Sequence, residues 1–188
     1  MTRIIAGAFG GRRIQTPKGD GTRPTSDRVR EALFSSLESE LGGFDGLRVL
    51  DLFAGSGALG LEALSRGADY AVFVEANTAA AAVVKRNLVD LGGRGSVART
   101  KAERWVEDGD RDAFDLVFVD PPYALTTPVV ASLVAAVGQS FAEPDALFVV
   151  ERATRDPFAW PEGVEGFRSK KYGETTLWFG RAAIRSLA

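Results

Sequence analysis

The feature that most constrains the fold is a glycine pattern between an apolar segment and a helical one. Gly55, Gly57 and Gly60 follow the short run Arg48–Phe53 in a G-x-G-x-x-G spacing. Glycines at such a turn let the chain reverse tightly and bring its backbone close to a ligand. A second apolar run ends in Glu75, 20 residues after Gly55, where an acid can bind two ribose hydroxyls. The pattern therefore predicts a nucleoside-containing cofactor at the ends of parallel strands.

Asp51 decides between two classes of cofactor that this loop accommodates. A dinucleotide such as NAD would place a pyrophosphate at the loop, and a carboxylate there would repel it. The ammonium or sulfonium of S-adenosylmethionine would instead be attracted. Asp51 therefore favours S-adenosyl-L-methionine, and an NAD-dependent oxidoreductase is the more distant alternative.

A second motif, Asp120-Pro121-Pro122-Tyr123, follows the apolar run of residues 116–119. Proline removes amide donors and holds the preceding residue extended, so the backbone here offers mainly carbonyl acceptors. A carboxylate beside such carbonyls suits a ligand with N–H donors, such as an exocyclic amine, and Tyr123 can stack on the ring that carries it. The motif predicts methylation of a base amine.

The composition excludes several classes of enzyme. The chain has 188 residues, 45% of them hydrophobic, which suits one compact domain with a sizeable core. It contains no cysteine and no histidine, which argues against thiolate metal sites, cysteine nucleophiles and Ser-His-Asp hydrolysis. No apolar run approaches the ~20 residues of a membrane span, and the N-terminus lacks a signal-like stretch, so we expect a cytoplasmic protein.

Alternating periodicities predict an α/β fold with a parallel sheet covered by helices on both faces. An N-terminal hairpin is expected over residues 2–16, and a helix from Thr25 or Ser26 to about Leu41, ended by Gly42-Gly43. Two final strands are expected between Gly163 and Ala182. The remaining predicted strands are 48–53, 70–75, 96–100, 114–119 and 146–151, and the remaining helices are 58–66, 78–91, 102–108 and 127–141.

Four segments together resemble the bacterial 16S rRNA guanine-N2 methyltransferase family (RsmD type), a group of class I S-adenosylmethionine-dependent enzymes. The segments are residues 3–14, Arg23–Phe34, Val49–Gly57 and Lys171–Leu177. The resemblance implies a Rossmann-like seven-stranded sheet of order 3-2-1-4-5-7-6. It also implies transfer of a methyl group to the N2 amine of guanine 966 in rRNA numbering.

The resemblance assigns roles around the cofactor. Asp51, Gly55 and Gly57 are expected to hold its methionine part, Glu75 its ribose and Ala76 its adenine. Lys101 stands where many relatives carry an acid, so Glu103 or a backbone amide must receive the adenine amino group. The expected cofactor-binding residues are Asp51, Phe53, Gly55, Gly57, Glu75, Ala76, Ala102 and Glu103, and the expected catalytic residues are Asp120, Pro121, Pro122 and Tyr123.

Basic residues concentrate in the first 30 positions although the net charge of the whole chain is −2. Seven arginines and lysines there face two aspartates, which predicts a local nucleic-acid-binding patch on a mildly acidic body. We expect a basic arm (1–24), a methyltransferase domain (25–188), and a monomer that binds 16S rRNA, within an assembled or assembling small ribosomal subunit. The expected RNA-binding residues are Arg3, Arg12, Arg13, Lys18, Arg23, Arg28, Lys170 and Lys171.

Three other readings remain open at this stage. The Asp-Pro-Pro-Tyr motif also serves adenine-N6 methylation of DNA, but the chain leaves no room for a separate target-recognition region. Methylation of a protein glutamine typically uses Asn in place of Asp120. A ribosome-assembly factor without turnover would not need intact Asp51, Glu75 and Asp120.

Overall fold

A computed structural model describes residues 2–18, 25–108 and 112–184. Within these ranges no helix is long and apolar enough to cross a membrane. The helices are α1 (Asp27–Leu41), α2 (Ala58–Ser65), α3 (Thr78–Leu91), α4 (Ala102–Asp108) and α5 (Thr127–Ser140). The strands are β1 (Thr2–Arg3), β2 (Arg13–Ile14), β3 (Arg48–Asp51), β4 (Tyr70–Val74), β5 (Gly95–Ala98), β6 (Phe114–Val119), β7 (Ala142–Ala153), β8 (Val164–Tyr172) and β9 (Thr175–Ala182).

Seven strands form one sheet in the order β5-β4-β3-β6-β7-β9-β8. The pairs from β5 to β7 are parallel, and β9 runs antiparallel to both β7 and β8. The labels differ from the predicted ones because the β1–β2 ladder precedes the sheet; counted from β3, the order is 3-2-1-4-5-7-6. The predicted α/β class is confirmed, and the order reverses beside β3, where open α/β sheets bind ligands.

Two hydrophobic cores lie on opposite faces of this sheet. One contains Phe34 of α1, Leu61 of α2 and Val84 of α3, and the other contains Val130 and Val134 of α5. The central strands are apolar on both faces because helices cover both, which explains their unbroken hydrophobic sequences.

The ends of α1 follow the expected chemistry. Ser26 caps the helix by accepting a hydrogen bond from the amide of Val29, and Gly42 ends it with a φ of 71°. Only glycine adopts this left-handed conformation without a steric penalty. The predicted end of the helix at Gly42-Gly43 is therefore confirmed.

Strand β7 is longer than predicted. The prediction of residues 146–151 followed the apolar run, whereas the strand extends over Ala142–Ala153. Its pairing with β6 jumps from Phe114↔Ala142 to Leu116↔Leu147, so residues 143–146 form an irregularity that carries polar side chains. A polar irregularity within a strand has no apolar periodicity for sequence analysis to detect.

The N-terminal hairpin is reduced to a two-residue antiparallel ladder, in which Thr2 pairs with Ile14 and Arg3 with Arg13. Ile4 and Ile14 are nevertheless fully buried in the same core as Phe34. The buried carboxylate of Glu62 in α2 accepts hydrogen bonds from the amides of Ile5 (2.9 Å) and Ala6 (3.1 Å). Residues 2–18 therefore pack against the main body, although the division into arm and domain remains a prediction.

Candidate active site

Four carboxyl groups meet at the carboxyl-terminal edge of the parallel strands. Asp51 ends β3, Glu75 directly follows β4, Asp120 directly follows β6, and Glu151 lies near the end of β7. Parallel strands bring residues that are far apart in sequence to one edge, which is where ligands bind in this architecture. Asp51, Glu75 and Asp120 were predicted as site residues, and Glu151 was not.

The glycine loop connects β3 to α2 with two left-handed residues. Gly55 has a φ of 57° and Gly57 a φ of 84°. A Cβ on Gly55 would meet no protein atom within 4 Å, so the backbone there faces open space. A Cβ on Gly60 would lie 2.4 Å from Cε1 of Phe73, so the third glycine instead lets α2 approach β4.

Asp51 is buried, with 1% of its surface exposed. Its Oδ2 accepts a hydrogen bond from the amide of Gly60 at 3.1 Å, and its Oδ1 has no partner. Burial raises the pKa of Asp51 to about 7, the Gly60 hydrogen bond lowers it, and the negative charge of Glu75 raises it. A buried acceptor without a donor is costly, so this atom fits a cationic N–H donor such as the amino group of S-adenosylmethionine.

Glu75 closes on the glycine loop from the neighbouring strand. Its Oε2 accepts a hydrogen bond from the amide of Gly55 (2.8 Å), and its Oε1 accepts one from the amide of Asn77 (3.0 Å). These bonds hold the carboxylate beside the loop, and each oxygen retains acceptor capacity for a ribose hydroxyl. Ala76 is exposed next to it, and Phe53 is half-buried at the start of the loop.

The residues expected at the adenine end are less sharply defined. Ala102 is buried at the start of α4, whereas Lys101 and Glu103 on either side are exposed. The exposed Glu103 in the first turn of α4 also suits the helix dipole, so its role toward adenine remains a prediction.

Asp120 lies beside a second carboxyl group, that of Glu151. Val119 of β6 pairs with Val150 of β7, so the next residues, Asp120 and Glu151, are neighbours, and their carboxyl groups are hydrogen-bonded to each other. Burial, then the charge of Glu151, raises the pKa of Asp120 well above its ordinary value. Burial also raises the pKa of Glu151, against hydrogen bonds from Asp120 and Thr25 that lower it. Each carboxyl group of this pair is therefore harder to ionise than an isolated one.

Thr25 donates its hydroxyl hydrogen to Oε2 of Glu151 at 3.4 Å. The segment Arg23–Phe34 was recognised as distinctive without a chemical role for Thr25, and Arg23 and Pro24 lie outside the described residues. Glu151 carried a usable signal, since it directly follows the apolar run of residues 146–150, just as Glu75 and Asp120 follow apolar runs.

The residues that follow Asp120, from Pro121 to Leu125, form a loop at the same edge, which we call the lip. Pro121 is buried and Pro122 exposed, and the carbonyl of Pro122 accepts a hydrogen bond from the amide of Leu125 at 3.0 Å. Tyr123 is 55% exposed, and its hydroxyl lies 3.1 Å from Oγ1 of Thr175 at the start of β9. An exposed ring that is held at its hydroxyl can present a face to a planar ligand.

Arg152 is a buried cation that supports this lip. Its guanidinium donates hydrogen bonds to the carbonyl of Leu125 (2.8 Å), the hydroxyl of Thr127 (3.1 Å) and the carboxylate of Asp156 (3.0 Å). Hydrogen bonds from Thr127 and then Arg152 lower the pKa of Asp156. Sequence analysis missed Arg152 because an arginine in an apolar strand carries no motif.

The predicted RNA-binding residues lie on different elements. Arg12 donates a hydrogen bond to the carbonyl of Asp90 at 2.6 Å, at the end of α3. Lys170 pairs in register with Leu177, close to the turn between β8 and β9, after which Thr175 begins β9. Arg23 lies outside the described residues. The exposed members of the set are Arg3, Arg12, Arg13, Lys18, Arg28, Lys170 and Lys171.

A family profile described as "Conserved hypothetical protein 95" matches residues 2–181. The "Ribosomal RNA small subunit methyltransferase D" of Haemophilus influenzae is 35% identical over 176 residues, covering 91% of this chain and 89% of that protein. The chain belongs to this methyltransferase family. The methyltransferase of the same description from Escherichia coli is 42% identical over 122 residues, which span 64% of this chain and 60% of that relative.

A solved structure of yhhF from Escherichia coli superposes with a TM-score of 0.85 at 30% identity, covering 97% of this chain and 98% of that one. The family is one of methyltransferases, and the methyl donor that the sequence predicts is S-adenosylmethionine. The free Oδ1 of Asp51, the open space above Gly55 and the carboxylate of Glu75 fit that cofactor.

Proposed function

We propose that the protein transfers a methyl group from S-adenosylmethionine to the exocyclic N2 amine of a guanine in 16S rRNA, guanine 966 in rRNA numbering. The observation that carries the proposal is the position of Asp120 beside the exposed Tyr123, at the edge where the glycine loop opens. The names of the relatives support ribosomal RNA of the small subunit as the substrate.

When bound, the cofactor would supply an electrophilic methyl group on a positively charged sulfur. The amine nitrogen would bond to the methyl carbon in line with the breaking S–C bond, and the sulfur would leave as the neutral thioether of S-adenosylhomocysteine. Guanine N2 is a weak nucleophile because its lone pair is delocalised into the ring. Asp120 and the carbonyl of Pro121 accept its two hydrogens, which directs the lone pair outward and stabilises positive charge developing on nitrogen. Tyr123 stacks on the base and so aligns it for attack. The amine proton then leaves to Asp120 or to water.

Because a paired guanine buries its amine, the target base must be unpaired or flipped out of its helix. We propose that the exposed basic residues bind the surrounding phosphates. These contacts position the RNA without reading its sequence, and proteins of a partly assembled subunit contribute to docking. Arg12 contributes less than the others, since its guanidinium already binds Asp90.

The test is methyl transfer from labelled S-adenosylmethionine to unmodified small subunits, protein-free 16S rRNA, duplex DNA and a protein extract. Digestion of the product should yield N2-methylguanosine from small subunits, with the Asp120→Ala variant inactive but still binding cofactor. Label in N6-methyladenine or in protein would overturn the substrate, and bound cofactor without any transfer would indicate an assembly factor.

Charge substitution tests the RNA surface more cleanly than removal of the first residues, because Ile4 and Ile14 belong to the core. Lys18→Ala and Lys170→Ala should each weaken RNA binding across sequences and lower the slope of log affinity against log salt by about one. Lys85→Ala, an exposed lysine on α3, is the matched control.

A further inference from the structure

The carboxyl pair at the site has a geometry that a single amine-binding carboxylate does not require. Asp120 and Glu151 are neighbours on adjacent strands because Val119 pairs with Val150. Both residues are half-buried, so the pair is partly accessible at the edge of the sheet. The hydroxyl of Thr25 binds Glu151 from the side of α1.

Glu151 lies on the face of the sheet that Tyr123 reaches. Glu151 pairs with Leu177 of β9, and cross-strand partners present their side chains on the same face. Thr175 precedes Leu177 by two residues and so shares that face, and its hydroxyl contacts Tyr123. The ring, Asp120 and Glu151 therefore border one space at the edge of the sheet.

The bases differ in what lies next to their exocyclic amine. In adenine and cytosine, the ring nitrogen beside the amine is a hydrogen-bond acceptor. In guanine, N1 beside the N2 amine carries a hydrogen and is a donor. Two adjacent acceptors on the protein therefore match guanine and repel the corresponding edge of adenine or cytosine.

We propose that Glu151 determines specificity for guanine by accepting the N1–H of the target base while Asp120 accepts a hydrogen of its N2 amine. This inference rests on the proposed function, because it places the same base on the same motif. Binding of the two guanine donors requires both carboxyl groups as acceptors, so any proton that the pair holds in the free protein leaves to solvent.

The experiment uses small subunits reconstituted with 16S rRNA that carries either guanine or 2-aminopurine at the position the wild-type protein methylates. 2-Aminopurine keeps the amine but has an unprotonated N1. The wild-type protein should prefer guanine in kcat/KM by at least about tenfold. Glu151→Gln, whose amide can donate to the unprotonated N1, should reduce that preference by about tenfold or reverse it.

Glu143→Gln, the same substitution at an exposed position of β7, should keep the wild-type preference. If Glu151→Gln methylates neither RNA, the preference is measured by binding instead. The dissociation constant for small subunits with guanine is then compared with that for small subunits with 2-aminopurine. An unchanged preference in Glu151→Gln, by kinetics or by binding, would overturn the role of Glu151. Absence of N2-methylguanosine with the wild-type protein would instead overturn the proposed function.

Discussion

The side-chain amide of Asn87 donates a hydrogen bond to the backbone carbonyl of Ser56, at 3.0 Å. Ser56 lies between the two left-handed glycines of the cofactor loop. The same amide donates to the carbonyl of Gln15 (2.9 Å), and Oδ1 of Asn87 accepts from the amide of Gln15 (2.9 Å). One buried side chain thus connects the N-terminal segment to the loop that binds the cofactor.

We expect Asn87→Ala to weaken both stability and cofactor binding. The change leaves backbone groups of Gln15 and Ser56 without partners, which should lower the free energy of unfolding by about 3 kcal/mol. The loop also loses a support, so the Kd for S-adenosylmethionine should rise several-fold. Urea denaturation and calorimetric titration measure the two effects, with Lys85→Ala on the same helix as control. A normal Kd in a destabilised variant would show that Asn87 anchors residue 15 but does not support the cofactor loop.

The glycines of the loop should separate binding from folding. Gly60→Ala places a methyl group against Phe73 in a packed core, so its main effect should be loss of about 1–3 kcal/mol of stability. Gly55→Ala adds a methyl group in open space at a φ of 57°, which costs about 1 kcal/mol and obstructs the cofactor. Thermal unfolding with and without S-adenosylmethionine should show a ligand-induced shift for Gly60→Ala and a much smaller one for Gly55→Ala. Equal shifts would contradict this division.

Local sequence signals located three of the four carboxylates but not their relationships. Glu75 and Asp120 are predictable because each directly follows an apolar run, and Asp51 because it precedes the glycine loop. The contact between Asp120 and Glu151 depends on the register of β6 with β7, and that register follows a bulge without apolar periodicity. The docking of the N-terminal segment was missed for a similar reason, since Glu62 and Asn87 belong to distant helices and resemble ordinary surface residues in the sequence. Helix boundaries were predictable because caps and glycine stops are local.

Arg152→Lys should impair catalysis through the lip that carries Tyr123. Lysine cannot bind Leu125, Thr127 and Asp156 together, because it lacks the planar fork of donors. We expect a loss of about 2–4 kcal/mol in stability, as for other broken buried charge networks, and a reduced kcat. Chemical denaturation and steady-state kinetics measure both. Arg155→Lys, at an exposed neighbouring arginine, is the control, and wild-type kcat in Arg152→Lys would show that the lip does not need this support.

Tyr123 should act through its ring more than through its hydroxyl. Tyr123→Ala removes a stacking surface worth about 1–3 kcal/mol, so kcat/KM for small subunits should fall by roughly 10- to 100-fold. Tyr123→Phe keeps the ring and loses only the exposed contact with Thr175, so its kcat/KM should stay within about threefold of wild type. Binding of S-adenosylmethionine should be unchanged in both variants. An equal loss in the two variants would assign the role to the hydroxyl.

Asp51 should make stability and cofactor affinity respond to pH in opposite directions. Its pKa is about 7 in the folded protein against an ordinary 3.8, so between these values the carboxyl group ionises in the unfolded chain first. The stability that the neutral form provides is complete below about pH 4, declines as pH rises, and is lost above about pH 7, a change of about 4 kcal/mol. Asp51→Asn should therefore be more stable than wild type at pH 8 and similar near pH 4.

Affinity for the cationic cofactor requires the ionised carboxylate of Asp51, so it should rise up to about tenfold per pH unit toward pH 7 in the wild-type protein. The Asn variant should bind weakly with no such rise. Denaturation curves at pH 4 and pH 8 test the stability, and calorimetric titrations between pH 5.5 and pH 7 test the affinity. A wild-type affinity that is constant over that second range would contradict the assignment of Asp51 to the cofactor's ammonium group.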